Sequence, residues 1–219
     1  MSAGLSLPLQ GLYRPAADGT REPGLLVLMH GVGSNERDLM GLAPAVPPHF
    51  HVLSLRAPFT LGPGAYAWFE FEVLPDGGRR IDDAQEEHSR TLVDRTVRDA
   101  AAHLGVAPQR VVVGGFSQGG IMSLTQLLTQ PDSLHGALVL HSRLLQKVEP
   151  LAQPALLAGK ALWVSHGQQD AVIPPASAAH IRACAQAWGL QVSGADYPGG
   201  HEIREQELDD AMDWLDSLG

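Results

Sequence analysis

An apolar run, Arg110-Val111-Val112-Val113-Gly114, leads straight into Gly115-Phe116-Ser117-Gln118-Gly119. No other stretch narrows the fold as much. The apolar run reads as a strand covered on both faces, the kind found inside a parallel sheet. Ile121, Leu124, Leu127 and Leu128 then recur at helical spacing until Pro131 ends the pattern. A chain that turns so sharply from strand to helix strains the corner residue, and glycines on either side keep the turn clear of the helix. Ser117 would present its hydroxyl at the carboxyl end of the strand. The plainer alternative is a glycine-rich turn whose serine only caps the helix.

A serine hydroxyl is a poor nucleophile at neutral pH and needs a base, which in turn needs an orienting carboxylate. Two later segments offer them. Ala161-Leu162-Trp163-Val164-Ser165-His166-Gly167-Gln168-Gln169-Asp170 is an apolar strand running into a polar turn that contains an acid. Asp196-Tyr197-Pro198-Gly199-Gly200-His201 is a glycine-rich loop with a histidine just before a helix. Ser117, Asp170 and His201 thus follow in the chain order nucleophile, acid, base, each on a loop after a strand, and a parallel sheet would bring them to one edge. Taken singly, Asp170 could be a turn acid and His201 a helix cap.

Acyl transfer also puts negative charge on the former carbonyl oxygen, which backbone N–H groups must stabilise. Leu25 to Met29 reads as a central strand ending in His30-Gly31-Val32-Gly33-Ser34-Asn35, small residues that let the main chain approach a substrate. The N–H groups of Val32 and Gln118 are the expected donors.

Strands are expected at about 25–30, 51–56, 110–115, 136–141, 161–166 and 191–196, with an edge strand within 5–14. Between them lie helices. One covers about 84–104, with Asp83 and Glu86 as capping pair, Val93, Val97, Ala100, Ala101 and Leu104 as apolar stripe, and Gly105 as stop. Another covers about 202–218 and buries Leu208, Ala211, Met212 and Leu215. The stretch 56–80 holds Pro58, Gly62, Pro63, Gly64, Pro75 and Gly77-Gly78, which predicts loops rather than further sheet. Its aromatics Trp68 and Phe69 are candidates to line an acyl pocket, or else to anchor the loop to the core.

His30-Gly31-Val32-Gly33, Arg56-Ala57-Pro58, Gly115-Phe116-Ser117-Gln118-Gly119-Gly120, His166-Gly167-x-x-Asp170 and Gly200-His201-Glu202 together resemble the phospholipase/carboxylesterase family, which includes acyl-protein thioesterases. The resemblance implies an α/β chain with a single-domain minimal α/β-hydrolase fold over 1–219, a mostly parallel sheet with helices on both faces, and the 56–80 loop flanking the site. It implies a cofactor-free serine carboxylesterase cleaving ester or thioester bonds of small or medium acyl substrates. Ser117 would be nucleophile, His201 base, Asp170 orienting acid, and Val32 and Gln118 the oxyanion donors. Where many relatives have Ser-Gly after the next strand, this chain has His141-Ser142-Arg143-Leu144. That segment would border the acyl pocket, so Leu144 joins the substrate-binding candidates and acyl preference is the open point. An acyl-protein thioesterase or lysophospholipase, a dienelactone-type lactone hydrolase, and a non-catalytic acyl-binding protein are the alternatives. A homodimer is expected from relatives that pair through an apolar rim.

Composition narrows the partners. The 219 residues carry a formal net charge of −9, with no Lys/Arg cluster, which argues against nucleic acid. Met1 to Gln10 has no basic start followed by an apolar core, and no apolar run nears the roughly 20 residues of a membrane span, so a cytoplasmic enzyme is expected. One cysteine, Cys184, rules out an intramolecular disulfide and reads as a packed helix residue. His30, His141 and His166 each end a strand and could together hold a zinc, but the absence of a His-Glu-x-x-His helix and the work assigned to Asp170 and His201 argue for no metal.

Overall fold

The computed structural model describes residues 7–75 and 78–218. The main sheet uses β1 (Gly11–Arg14), β2 (Gly24–Met29) and β3 (Phe50–Leu55). Two hairpins follow, β4 (Phe59–Gly62) with β5 (Ala65–Ala67) and β6 (Phe71–Val73) with β7 (Arg79–Ile81). The main sheet resumes with β8 (Val111–Phe116), β9 (Gly136–Leu140), β10 (Ala161–Gly167), β11 (Gln191–Ser193) and β12 (Asp196–Tyr197). Its order is β1-β3-β2-β8-β9-β10-β11, with β12 also on β10; every pairing is parallel except that of β1 with β3.

The helices are α1 (Glu36–Met40), α2 (Asp83–Leu104), α3 (Gln118–Thr129), α4 (Pro154–Leu157), α5 (Ala176–Ala187) and α6 (Glu205–Asp216). Alternate strand residues serve opposite faces, as the pleat requires. Leu25, Val27, Val111, Val113, Ala137, Val139, Leu162 and Val164 pack with α2, α3 and α5 on one side. Leu26, Leu28, Val112, Leu138, Leu140 and Trp163 pack with α1 and α6 on the other. This is why the strands read as unbroken apolar runs. Each fully buried Leu or Val contributes roughly 1.5–3 kcal/mol relative to exposure.

Four expectations need adjustment. The expected strand 191–196 is two short strands, because Gly194 takes φ +110 and approaches Val164 so closely that a Cβ would lie 2.2 Å from its carbonyl oxygen. The cap of α2 is Asp82, whose carboxylate accepts the Gln85 N–H, and not Asp83. Glu86 is instead buried and pairs with Arg90 and Lys147. The 56–80 stretch stays out of the main sheet but forms the two hairpins rather than plain loops. The edge strand occupies only Gly11–Arg14; residues 1–6 of the amino-terminal reading, and Asp76 and Gly77, lie outside the described residues. Among the described residues, no helix is long and apolar enough to cross a membrane.

Candidate active site

At the exit of β8 the backbone of Ser117 takes φ 55 and ψ −116, a conformation that costs a non-glycine residue about 1–3 kcal/mol. The surroundings hold it there. The Ser117 N–H donates to the Leu140 carbonyl (3.0 Å), and the Ser142 hydroxyl donates to the Ser117 carbonyl (2.8 Å). The flanking glycines are sterically required. A Cβ on Gly115 would lie 2.3 Å from the Gly119 carbonyl carbon, and one on Gly119 would lie 1.8 Å from the Met29 oxygen. Ser117 makes no side-chain cap on α3, so its hydroxyl is free to face His201.

Three loops converge on that hydroxyl. Ser117 Oγ lies 2.9 Å from His201 Nε2, and His201 Nδ1 lies 2.6 Å from Asp170 Oδ2. With Nδ1–H donating to Asp170, Nε2 is left to accept the serine proton. Asp170 Oδ1 accepts the N–H groups of Val172 and Ile173, both at 2.8 Å. Burial pushes the Asp170 carboxyl upward, but its hydrogen bonds from His201, Ile173 and Val172 outweigh this and hold it below the usual carboxylate range. His201 does not cap α6; that position belongs to Arg204. The arrangement can transfer a proton from Ser117 to His201 with a buried anion behind the imidazolium.

Val32 and Gln118 border the same cleft as Ser117, and among the described residues neither backbone N–H donates a hydrogen bond within the protein. Gln118 begins α3, so its N–H is one of the helix's unsatisfied amino-terminal donors. An oxyanion there would also meet the positive end of the helix dipole.

A polar layer behind the three residues carries features the sequence reading missed. Glu207, wholly buried on α6, accepts from Ser165 Oγ (2.6 Å) and lies 3.0 Å from His141 Nε2. His141, itself at φ 49, stacks on His166 at 5.3 Å and lies 3.4 Å from Asp170 Oδ2. Burial alone would lower the His141 pKa, but the carboxylates of Glu207 and then Asp170 leave it raised. Gln118 has a second use through its side chain: Oε1 accepts the Trp68 N–H (2.8 Å) and Nε2 donates to the Phe69 carbonyl (2.6 Å). This clamp fixes the hairpin segment against the serine turn.

Of the substrate-binding candidates, Phe69 borders the cleft. Trp68 does not: it is fully buried and its Nε1–H donates to the His30 carbonyl (2.9 Å), so it anchors the segment to the core. Leu144 is buried against the core and faces a neighbouring depression with Gln146, Pro174 and His180, while Arg143 reaches the cleft itself. The cleft over Ser117 leaves about 20 Å³ of space and is lined also by Phe71, Arg79, Ile121 and Ile173. Larger open depressions, such as that of about 550 Å³ at Thr20, His49 and Arg110, lie away from Ser117, Asp170 and His201.

The zinc trio does not assemble. His30 takes the Ala57 N–H on Nε2 (3.1 Å) and meets the Gly31 carbonyl with Nδ1 (2.7 Å), apart from His141 and His166. His141, Asp170 and His201 do bring ligand atoms within 4.8 Å of one another, but those of Asp170 and His201 are hydrogen-bonded together. A surface group, Glu149, His180 and Cys184, is similarly close.

Comparison with known proteins agrees with this architecture. The sequence profile described as Phospholipase/Carboxylesterase matches residues 16–218. Acyl-protein thioesterase 1 of Gibberella zeae is 26% identical, the match covering 98% of this chain and 97% of that protein. The crystal structure of esterase PE8 superposes with a TM-score of 0.83 at 26% identity, covering 96% of this chain and 99% of the other. The Bacillus cereus carboxylesterase, at 23% identity, shares the fold with a TM-score of 0.79 over 96% of this chain and 95% of its own.

Proposed function

This chain belongs to the phospholipase/carboxylesterase family and is a hydrolase acting on esters; on that premise we propose that it is a serine carboxylesterase working through an acyl-enzyme. The observation that carries the reading is the continuous relay from Ser117 Oγ through His201 to Asp170, at 2.9 and 2.6 Å. His201 removes the Ser117 proton as the oxygen attacks the substrate carbonyl, and the tetrahedral oxyanion is taken up by the Val32 and Gln118 amides. The intermediate collapses, His201 protonates the departing alkoxide, and the acyl group stays on Ser117. Water, deprotonated by His201, then attacks the acyl-enzyme, and Ser117 recovers its proton as the acid leaves.

The space left in the cleft over Ser117, about 20 Å³, is far below the roughly 300–1,000 Å³ of typical ligand pockets, which favours short acyl or alcohol portions. The name of the Gibberella zeae relative favours thioesters as the second reading, since the same acyl-enzyme serves a thiolate leaving group.

A fluorophosphonate probe should label Ser117 alone, as located by mass spectrometry. Ser117→Ala should abolish the label and lower kcat by roughly 10⁴-fold or more on short-chain esters. Turnover surviving in a clean Ser117→Ala preparation would remove the serine from the mechanism. Matched oxygen esters and thioesters of increasing chain length then separate the two leaving-group readings.

A further inference from the structure

Two guanidinium groups border the cleft over Ser117, and among the described residues neither pairs with a carboxylate. Arg79, at the start of β7, donates to the Val172 carbonyl (3.2 Å) and lies 5.0 Å over the Phe71 ring. Arg143, on the segment after β9 that departs from the expected Ser-Gly, is half-buried. Its Nε is shielded from solvent without a hydrogen-bond partner, and among the described residues the side chain forms no ion pair. Burial lowers the Arg143 pKa, and the neighbouring Arg79 charge lowers it further. Other arginines of this chain find acids: Arg56 pairs with Glu36, Arg90 with Glu86, and Arg182 with Asp196.

The arrangement is unfavourable in the free protein. The shielded Arg143 Nε forfeits hydration without gaining a partner, and a second cation lining the same cleft adds to the cost. It occurs in a chain whose formal net charge is −9, with acids available to neutralise it. The remaining lining by Phe69, Phe71, Ile121 and Ile173 offers apolar contact but no countercharge. An oxyanionic group bound between the arginines would supply what both lack, in a charge-assisted and bidentate geometry suited to guanidinium.

We infer that the substrate is a small ester carrying an anionic group, a carboxylate or similar oxyanion, close to the scissile carbonyl, with Arg143 and Arg79 as its specificity residues. This rests on Ser117 being the nucleophile and adds the charge of what reaches it. Either half of the ester can carry the anion, and the test separates the two.

Monomethyl succinate, anionic on the acyl side, is compared with the methyl ester of its uncharged amide, succinamic acid. The acetate ester of glycolate, anionic on the alcohol side, is compared with that of glycolamide. Each pair differs in charge but hardly in size. The wild-type protein should prefer the anionic member of one pair by roughly tenfold or more in kcat/KM. The pair showing the preference identifies the half that carries the charge, and the preference should shrink as salt rises. Arg143→Gln should collapse the ratio and Arg143→Glu should invert it. Arg79→Gln, on a different element, should reduce the same ratio even if an Arg143 variant folds poorly. Equal rates within both pairs, in protein that turns over the neutral esters and takes the fluorophosphonate label, would overturn this inference and leave the serine mechanism standing. Absence of both label and turnover in folded protein would overturn the serine mechanism, and this inference with it.

Discussion

Ser117 shows how far a local motif can speak for a single residue. Its φ of 55 is held by the Leu140 and Ser142 hydrogen bonds and by glycines that nothing larger can replace. That strain implies a trade between stability and activity. Ser117→Ala and Ser117→Gly both delete the hydroxyl, but only glycine relieves the Cβ. Relief of about 1–3 kcal/mol exceeds the roughly 0.5–1 kcal/mol that glycine loses through the unfolded chain. Urea denaturation should therefore find Ser117→Gly more stable than Ser117→Ala by about 1 kcal/mol, with both inactive. Equal stabilities would mean that the corner is not strained. The corner was readable because its glycines and serine are adjacent in the chain. Gln118 was only half readable: the place of its N–H follows from the turn, but the carboxamide's grip on Trp68 and Phe69 depends on a segment 50 residues away. Trp68 was left between pocket and core anchor for the same reason, since an aromatic on a loop carries no local sign of whether it faces the cleft or the core.

Among elements, the strands of the main sheet were the most legible, because burial on both faces leaves an unbroken apolar run. The hairpins β4–β5 and β6–β7 were not, since two-stranded sheets bury little and their proline and glycine content reads as loop. Helix α6 shows an intermediate case. Its apolar stripe through Ala211, Met212 and Leu215 was plain, yet Glu207 is four residues before Ala211 and so lies on that same stripe. An acid on the buried face was the available signal; its partners, Ser165 and His141, are 42 and 66 residues away. Removing this carboxylate would strand both partners in the interior. Glu207→Ala should lower the unfolding free energy by about 3–5 kcal/mol, as expected when one member of a buried pair is deleted. Glu207→Gln, which can still hydrogen-bond, should lose clearly less. A loss below about 1 kcal/mol for the alanine variant would show that α6 docks by its apolar stripe alone.

For the whole molecule, the carboxyl edge of the sheet concentrates polar groups that the two apolar cores would otherwise exclude, and this ties stability to pH. His30 and His166 are fully buried. Burial is the largest influence on each and lowers both pKa values, against the Gly31 and Ile173 carbonyls respectively. Below the unfolded histidine value of about 6.5, the unfolded chain takes up protons that the folded protein does not. Stability must therefore fall as pH drops from about 6.5 toward the depressed folded values. His141 acts in the opposite sense: its raised pKa adds stability that is complete only below the unfolded value, so it offsets part of the loss between about pH 7 and 6 and adds nothing further below. The contribution of Asp170, whose pKa is lowered, is present above the unfolded carboxylate value of about 3.9 and is lost only as pH falls further, through the folded one. Urea unfolding at about pH 7 and pH 5 should thus show lower stability in acid, and His166→Gln should flatten the slope. If stability is unchanged or greater at the lower pH, the folded protein accommodates these imidazoles as cations, and the polar edge behind Ser117 is better solvated than its burial implies.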